Sequence, residues 1–295
     1  MLDVHANGIR FAVTEARGSG ERGLALCLHG WPELGYSWRH QLPMLAELGY
    51  RAWAPDLRGF GRSERPTRTR DYAMEILIED VAGLVEAAGE ERATILSHDW
   101  GGLIAWHVAM RRPELVERLV VMNLPHPACL MREVRHGDQA RRSFYVALFQ
   151  IPGLAERMLA EDGYRRIENA FTSMAVDPTR FTEDDLRIYR EAAASPGAIT
   201  AHMSYYRDFV RGGGGRRQAK LGFPVIEAPT LLVWGEQDTA LGKATTIGTG
   251  DYVADLTVRY LPHASHWVQQ EAPETVNAMV RAWLLDHPVP QAWEV

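Results

Sequence analysis

Little in this chain ties it to a membrane, a metal, nucleic acid or an oxidising compartment. Two cysteines occur in 295 residues, too few for a disulfide framework and without the spacing of a metal site. Cys27 lies in the apolar run Leu24-Ala25-Leu26-Cys27-Leu28, and Cys129 follows the turn-like Pro125-His126-Pro127. Both read as buried free thiols, which implies a reducing, cytoplasmic setting. No run is long and apolar enough to span a bilayer. The start, Met1-Leu2-Asp3-Val4-His5, has neither the basic nor the apolar part of a secretory signal. A basic excess is missing as well, because 32 Lys and Arg stand against 38 Asp and Glu, a formal net charge of -6. That balance favours solubility and argues against a general nucleic-acid binder. The arginines between Arg132 and Arg142 read as a solvated face.

What is present suits one large α/β domain, or one domain carrying an insertion: 46% of residues are hydrophobic and 24% charged. Asn7-Gly8 is a favoured two-residue hairpin turn, with Ile9 to Ala16 returning. Strand-like runs follow at Leu24–Leu28, Tyr50–Ala54, Ala93–Leu96, Leu119–Met122, Thr230–Trp234 and Thr257–Leu261. Helix-period segments lie between many of them, at Ser37–Leu48, Ala73–Ala88, Trp100–Arg111 and Pro273–Leu285. The alternation predicts a mostly parallel sheet flanked by helices, with ligands beyond the carboxyl ends of its strands. The rhythm breaks from about Pro125 to about Gly215, which reads as helices with polar joints. This predicts a helical cap at 125–215 inserted between two parts of the core, 1–124 and 216–295. The run Gly212-Gly213-Gly214-Gly215 reads as a flexible return linker, since no Lys-Ser or Lys-Thr helix start follows it to make a phosphate cradle.

A serine is absent where one would be decisive. Ala93-Thr94-Ile95-Leu96-Ser97-His98-Asp99-Trp100-Gly101-Gly102 has the shape of a nucleophile elbow, a strand running into a tight turn and a helix. Asp99 holds the apex, and Ser97 occupies a position that wants a small residue. Serine attacks acyl carbons. A carboxylate attacks saturated carbon bearing a leaving group and leaves an ester on the enzyme. The plainer role for Asp99 is a helix N-cap before Leu103-Ile104-Ala105-Trp106. A carboxylate nucleophile also needs a base to activate water. His266, after the last strand, suits that role, with His263 a rival that position alone does not exclude. Asp238, after the preceding strand, is the candidate for orienting the imidazole, with Glu236 its neighbour. Oxyanion donors would be the backbone N–H of Trp100 and that of Trp31 in His29-Gly30-Trp31-Pro32, whose Trp31-Pro32 bond is a candidate cis peptide.

These segments together resemble the α/β-hydrolase-fold epoxide hydrolases, a family close to the haloalkane dehalogenases. The resemblance rests on His29-Gly30-Trp31-Pro32-Glu33, Tyr36-Ser37-Trp38-Arg39, Asp56 to Ser63, Ser97 to Gly102, Trp234 to Asp238 and Ser265-His266-Trp267, in order along nearly the whole chain. It implies an α/β-hydrolase fold with a helical cap, in the chain order nucleophile, acid, histidine. It selects His266 over His263, because the family histidine precedes this tryptophan. Asn123 stands where some relatives place the acid, but it carries no charge, which favours Asp238. Two cap tyrosines that donate to the epoxide oxygen are implied at Tyr145, ahead of Phe149-Gln150-Ile151-Pro152-Gly153, and at Tyr206, before Arg207. Tyr205 is the alternative one residue away, and helix packing is the commoner fate of a tyrosine. Glu33 is a candidate for positioning water or, equally, a loop-surface acid. Phe144, Leu148, Phe171 and Met203 are candidates to line an apolar pocket.

The implied reaction takes a small apolar epoxide and water to a vicinal diol, with no metal or organic cofactor. A haloalkane or haloacetate dehalogenase is the nearest rival. Against it stand Trp31 where haloalkane dehalogenases place Asn, Trp100 where haloacetate dehalogenases place Arg, and a cap region without tryptophan. A catalytically silent hydrolase-like binding protein is the reading from another class. Such proteins usually lose part of the constellation, and here every member is present.

Overall fold

Asn7 and Gly8 both have positive φ, 42° and 75°, the requirement of a two-residue turn that matches the twist of its strands. They join β1 (Leu2–Ala6) to β2 (Ile9–Arg17). The remaining strands are β3 (Leu24–Leu28), β4 (Arg51–Pro55), β5 (Ala93–His98), β6 (Val116–Met122), β7 (Thr230–Gly235) and β8 (Leu256–Leu261). They form one sheet in the order β1-β2-β4-β3-β5-β6-β7-β8. β1 and β2, and β2 and β4, pair antiparallel; every later pairing is parallel. The sheet is mostly parallel, as expected, in a computed structural model that describes residues 1–135 and 137–295.

Central strands covered on both faces read as mostly apolar runs, and β3, β5 and β7 are buried at every position. Their side chains alternate between two cores. Leu26, Ile95, Val121 and Leu232 face α2 (Met74–Ala87) and α3 (Asp99–Arg111). Cys27, Leu96, Val120 and Val233 share the other core with Leu42 and Leu45 of α1 (Gln41–Glu47) and Met279 and Val280 of α12 (Pro273–Leu284). Both cysteines are buried and free.

Among the described residues no strand lies between β6 and β7. Helices fill the interval: α4 (Pro127–Glu133), α5 (Gly137–Arg142), α6 (Phe144–Phe149), α7 (Leu154–Met174, broken by non-helical backbone at Glu161–Tyr164), α8 (Glu183–Ala194), α9 (Ala198–Val210) and α10 (Gly214–Lys220). A short helix α11 (Val268–Glu271) follows His266. The glycine run is not the flexible linker expected from sequence. Gly213, at φ 78°, is the N-cap of α10, and side chains at Gly212 or Gly214 would collide with Asp208. Arg217 pairs with Asp208 and Glu75, and Arg111 holds the Gln218 and Gly222 carbonyls at 3.0 and 2.7 Å. The glycines let helix backbones approach, and these bonds pin α10 to the core. Among the described residues no helix is long and apolar enough to cross a membrane.

Candidate active site

β5 ends at His98, and the chain turns into α3 within a single residue. Asp99 takes φ 47° there, a left-handed conformation that costs about 1–3 kcal/mol for a residue with a Cβ. The turn has room only because glycine follows. A Cβ on Gly101 would overlap the Leu28 and His29 carbonyls, and one on Gly30 would overlap the Asp99 side chain. The result lifts the Asp99 carboxylate off the sheet edge. Its Oδ1 accepts the Trp31 N–H at 2.7 Å, and its Oδ2 lies 3.6 Å from Nε2 of His266. The N–H of Trp100 lies in the first turn of α3, where backbone donors lack intrahelical partners. The Trp31-Pro32 peptide is cis.

His266 follows β8 and is buried. Its Nδ1 lies 2.7 Å from Oδ2 of Asp238. Asp238 in turn accepts the Asn123 side-chain N–H at 2.8 Å and the Ala240 and Leu241 N–H groups at 2.8 and 2.9 Å. Four contacts fill the acceptor sites of a carboxylate, so the acid is fixed in orientation. Asn123 also accepts the Gly235 N–H at 2.8 Å, which braces β7 against the end of β6. Burial pushes the His266 pKa down, but the flanking charges of Asp238 and Asp99 outweigh it and hold it up at about 10. Burial raises both carboxylates, and the imidazole between them more than offsets this, so both end below the usual range. The imidazole placed between two carboxylates is thereby favoured in its protonated form.

Tyr145 of α6 and Tyr206 of α9 line the same cavity as Asp99 and His266, which has a volume of about 280 Å³. Burial, reinforced in Tyr145 by the Asp99 charge and in Tyr206 by Tyr145 and Asp99, raises the pKa of both phenols. They stay protonated and available as donors. Aromatic rings lock them in place. Trp100 meets Tyr206 edge-on at 5.0 Å, Phe149 meets it at 5.0 Å, and the two tyrosine rings are 6.4 Å apart. The neighbouring Tyr205 points elsewhere and donates to the Arg58 carbonyl at 2.7 Å, as helix geometry requires of consecutive residues.

Glu33 is fully buried, so it is not a loop-surface acid. It accepts the Gly30 N–H and the Gln269 and Gln270 side-chain amides, each at 2.8 Å, and lies 2.6 Å from Nδ1 of His98. These contacts occupy both carboxylate oxygens. The other ring nitrogen of His98 lies 2.8 Å from the His266 carbonyl, which ties this pair to the backbone of the His266 loop. Among the described residues no group of three or more His, Cys, Asp or Glu side chains could hold a metal ion.

None of the four expected pocket side chains lines the cavity. Phe144 is 65% exposed, and Leu148 is half-buried on the same side of α6. Residues four apart share a helix face, so Tyr145 and Phe149 look inward while Phe144 and Leu148 do not. Phe171 is packed between Tyr189 and Trp267, at 4.3 and 4.6 Å, and Met203 is fully buried in the core. The cavity wall is instead Phe149, Ala170, Met174 and Trp267, with Arg142, Thr239 and Ala240 toward one side. The spacing of Phe149 from Tyr145 was the one available sequence signal.

A family model described as alpha/beta hydrolase fold matches residues 25–273. The chain is 37% identical to epoxide hydrolase 3 of Xenopus tropicalis over 94% of its own length and 75% of that protein. The chain belongs to the epoxide hydrolases of the alpha/beta hydrolase fold family. It is also 32% identical to epoxide hydrolase A of Mycobacterium tuberculosis, covering 95% of this chain and 96% of the relative. In three dimensions it superposes on the Bacillus megaterium epoxide hydrolase solved in complex with an inhibitor, with a TM-score of 0.88 at 31% identity, covering 96% of this chain and all of the other. The Asp99 elbow and the buried His266–Asp238 pair thus sit within an epoxide hydrolase framework that spans nearly the whole chain.

Proposed function

We propose that the protein hydrolyses small apolar epoxides to vicinal diols through a covalent ester on Asp99. The observation that carries this reading is one cavity lined by the Asp99 carboxylate, His266 and the Tyr145 and Tyr206 phenols, both phenols with raised pKa values that keep their protons in place. Oδ2 of Asp99 attacks an epoxide carbon, the carbon–oxygen bond breaks, and its electron pair goes to oxygen. Tyr145 and Tyr206 hold that oxygen, and one of them gives it a proton. The product is a β-hydroxyalkyl ester, and Asp99 has lost its charge. His266 then loses one of the two anions that hold its proton, and the proton goes to the phenolate left by ring opening. The neutral ring, oriented by Asp238, takes a proton from water as the water attacks the ester carbonyl. The N–H groups of Trp31 and Trp100 hold the tetrahedral oxyanion. Collapse returns the imidazole proton to the departing alkoxide and frees the diol; the Asp99 carboxyl, one oxygen now replaced from water, passes its remaining proton to His266, which restores the carboxylate and the imidazolium.

In this reading residues 1–124 and 216–295 are the core, and 125–215 are the lid that supplies both tyrosines. The two buried free thiols fit a reducing cytoplasm. A dehalogenase would use Asp99 and His266 in the same way, with the Trp100 indole N–H as halide donor. Here the cavity sets the Tyr145 and Tyr206 side chains beside Asp99, which favours the epoxide. The test is a product assay of the purified protein on a mixed panel of terminal epoxides and haloalkanes, scoring diol and halide together. Diol without halide is expected; halide without diol would overturn the reading.

A further inference from the structure

The loop that carries Asp238 is held from the lid. Gln139 of α5, a buried amide, donates to the Ala240 carbonyl at 2.9 Å and accepts the Gly242 N–H at 2.9 Å. Three residues on, Arg142 donates from Nη1 to the carbonyl of Asp238 itself at 2.8 Å. Spacing of three puts both side chains on one helix face. Within the same five-residue loop, Asp238 turns back to accept the Ala240 and Leu241 N–H groups. The loop therefore has its carboxylate satisfied from inside and its outward backbone groups satisfied by α5.

The same two residues are rigidly joined to Tyr145. The Gln139 amide also donates to the Ser143 hydroxyl at 3.0 Å, and the Ser143 N–H donates to the Gln139 carbonyl at 2.9 Å. α6 begins at the next residue, with Tyr145 in its first turn. Arg142 is braced by Asp138 at 2.8 Å and lines the cavity beside Thr239 and Ala240. A phenol that would act in ring opening and an acid that would act in hydrolysis are thus spaced by three hydrogen bonds between segments roughly a hundred residues apart in the chain.

We propose that Gln139 and Arg142 are positioning residues: they clamp the lid helix bearing Tyr145 to the loop bearing Asp238, so that both half-reactions depend on one seam. The inference rests on the function proposed above. Releasing the seam moves Tyr145 away from the substrate oxygen and loosens Asp238 against His266. Misplacement by about 1 Å costs on the order of 10²-fold in rate, so a partial release is expected to slow each step by roughly 10-fold.

The test compares wild type with Gln139→Leu, Arg142→Leu and Arg142→Lys. Amide hydrogen exchange of the 238–242 segment reads the clamp without reference to activity. Exchange at least about 10-fold faster in both leucine variants is expected; unchanged exchange overturns the proposal. Single-turnover reaction with styrene oxide then separates ester formation from ester hydrolysis. Both rates should fall in Arg142→Leu and largely recover in Arg142→Lys, whose ammonium restores one donor to the Asp238 carbonyl. The pH midpoint of the hydrolytic step should move down in Arg142→Leu, because a displaced Asp238 stabilises the imidazolium less. A lower melting temperature with unmoved rates and pH midpoint would make the seam merely structural and overturn the proposal. If Gln139→Leu does not fold, the half-exposed Arg142 carries the test. Wild type that forms no diol would sink the proposed function, while the exchange arm still decides the clamp.

Discussion

Asp99 and Asp238 approach the same imidazole from opposite sides, Oδ2 of Asp99 3.6 Å from Nε2 of His266 and Oδ2 of Asp238 2.7 Å from Nδ1. One carboxylate is held by a single backbone donor and faces the cavity. The other is saturated with four contacts and faces away from it. That difference in satisfaction supports the proposed division of labour, with Asp99 the nucleophile and Asp238 the orienting acid. It also makes the charge state of His266 depend on whether Asp99 is free or esterified.

Replacing His266 by Gln should leave ester formation largely intact and slow hydrolysis by about 10²–10⁴-fold, the usual contribution of a general base. The variant incubated with an epoxide should carry one covalent adduct on the Asp99 peptide by mass spectrometry. Wild-type turnover in this variant would remove His266 from the mechanism.

Stability should carry the signature of the buried triad. The folded His266 pKa, about 10, lies above its ordinary value of 6.5. The stabilisation is therefore complete below pH 6.5 and is lost as pH rises towards 10. Over that window the folded state binds the extra proton, and stability falls by at most about 1.4 kcal/mol per pH unit from this group. Asp99 and Asp238 have depressed pKa values, so their contribution is present above the ordinary carboxylate range and lost in acid. Denaturant unfolding across pH 6 to 10 should show a falling slope that flattens in His266→Gln.

Tyr145→Phe and Tyr206→Phe should each slow ring opening by about 10²-fold, comparable to the loss of one oxyanion donor. Pre-steady-state kinetics should find hydrolysis of the ester much less affected. The double variant should almost cease to react; full activity in it would remove the epoxide-specific part of the mechanism.

Asn123→Ala removes a donor to Asp238 and the acceptor for the Gly235 N–H. Unpairing such buried groups costs about 1–3 kcal/mol. Calorimetry should show that loss, and hydrolysis should slow more than ester formation because only the Asp238 side of His266 is disturbed.

Much of this molecule can be read from residue order. The elbow at Ser97 to Gly102 declares itself because only small residues fit between β3 and α3, and apolar runs with turn residues mark six of the strands to within three residues at either end. His266 and Asp238 stand after strands whose carboxyl ends converge. Other features have no local signature. Asn123 stands in sequence only as an uncharged residue where some relatives place the acid, and its brace on Asp238 exists only because β6 and β7 are neighbours in the sheet. Gly212 to Gly215 reads as a linker until Asp208 and Arg217 are seen packed around it.

The sequence alone determined the parallel sheet, the carboxylate at the elbow and the order of Asp99, Asp238 and His266 after their strands, since strand burial, turn sterics and residue chemistry are local properties. Tertiary structure decided which lid side chains meet the cavity: Phe149 inward, Phe144 and Leu148 not, Phe171 and Met203 sealed in the core. It also decided that Glu33 is saturated in the interior and that the His266 imidazole lies between two carboxylates, which raises its pKa. Helix rotation, burial and charge pairing depend on partners that lie on other elements of the chain, and no local stretch encodes them.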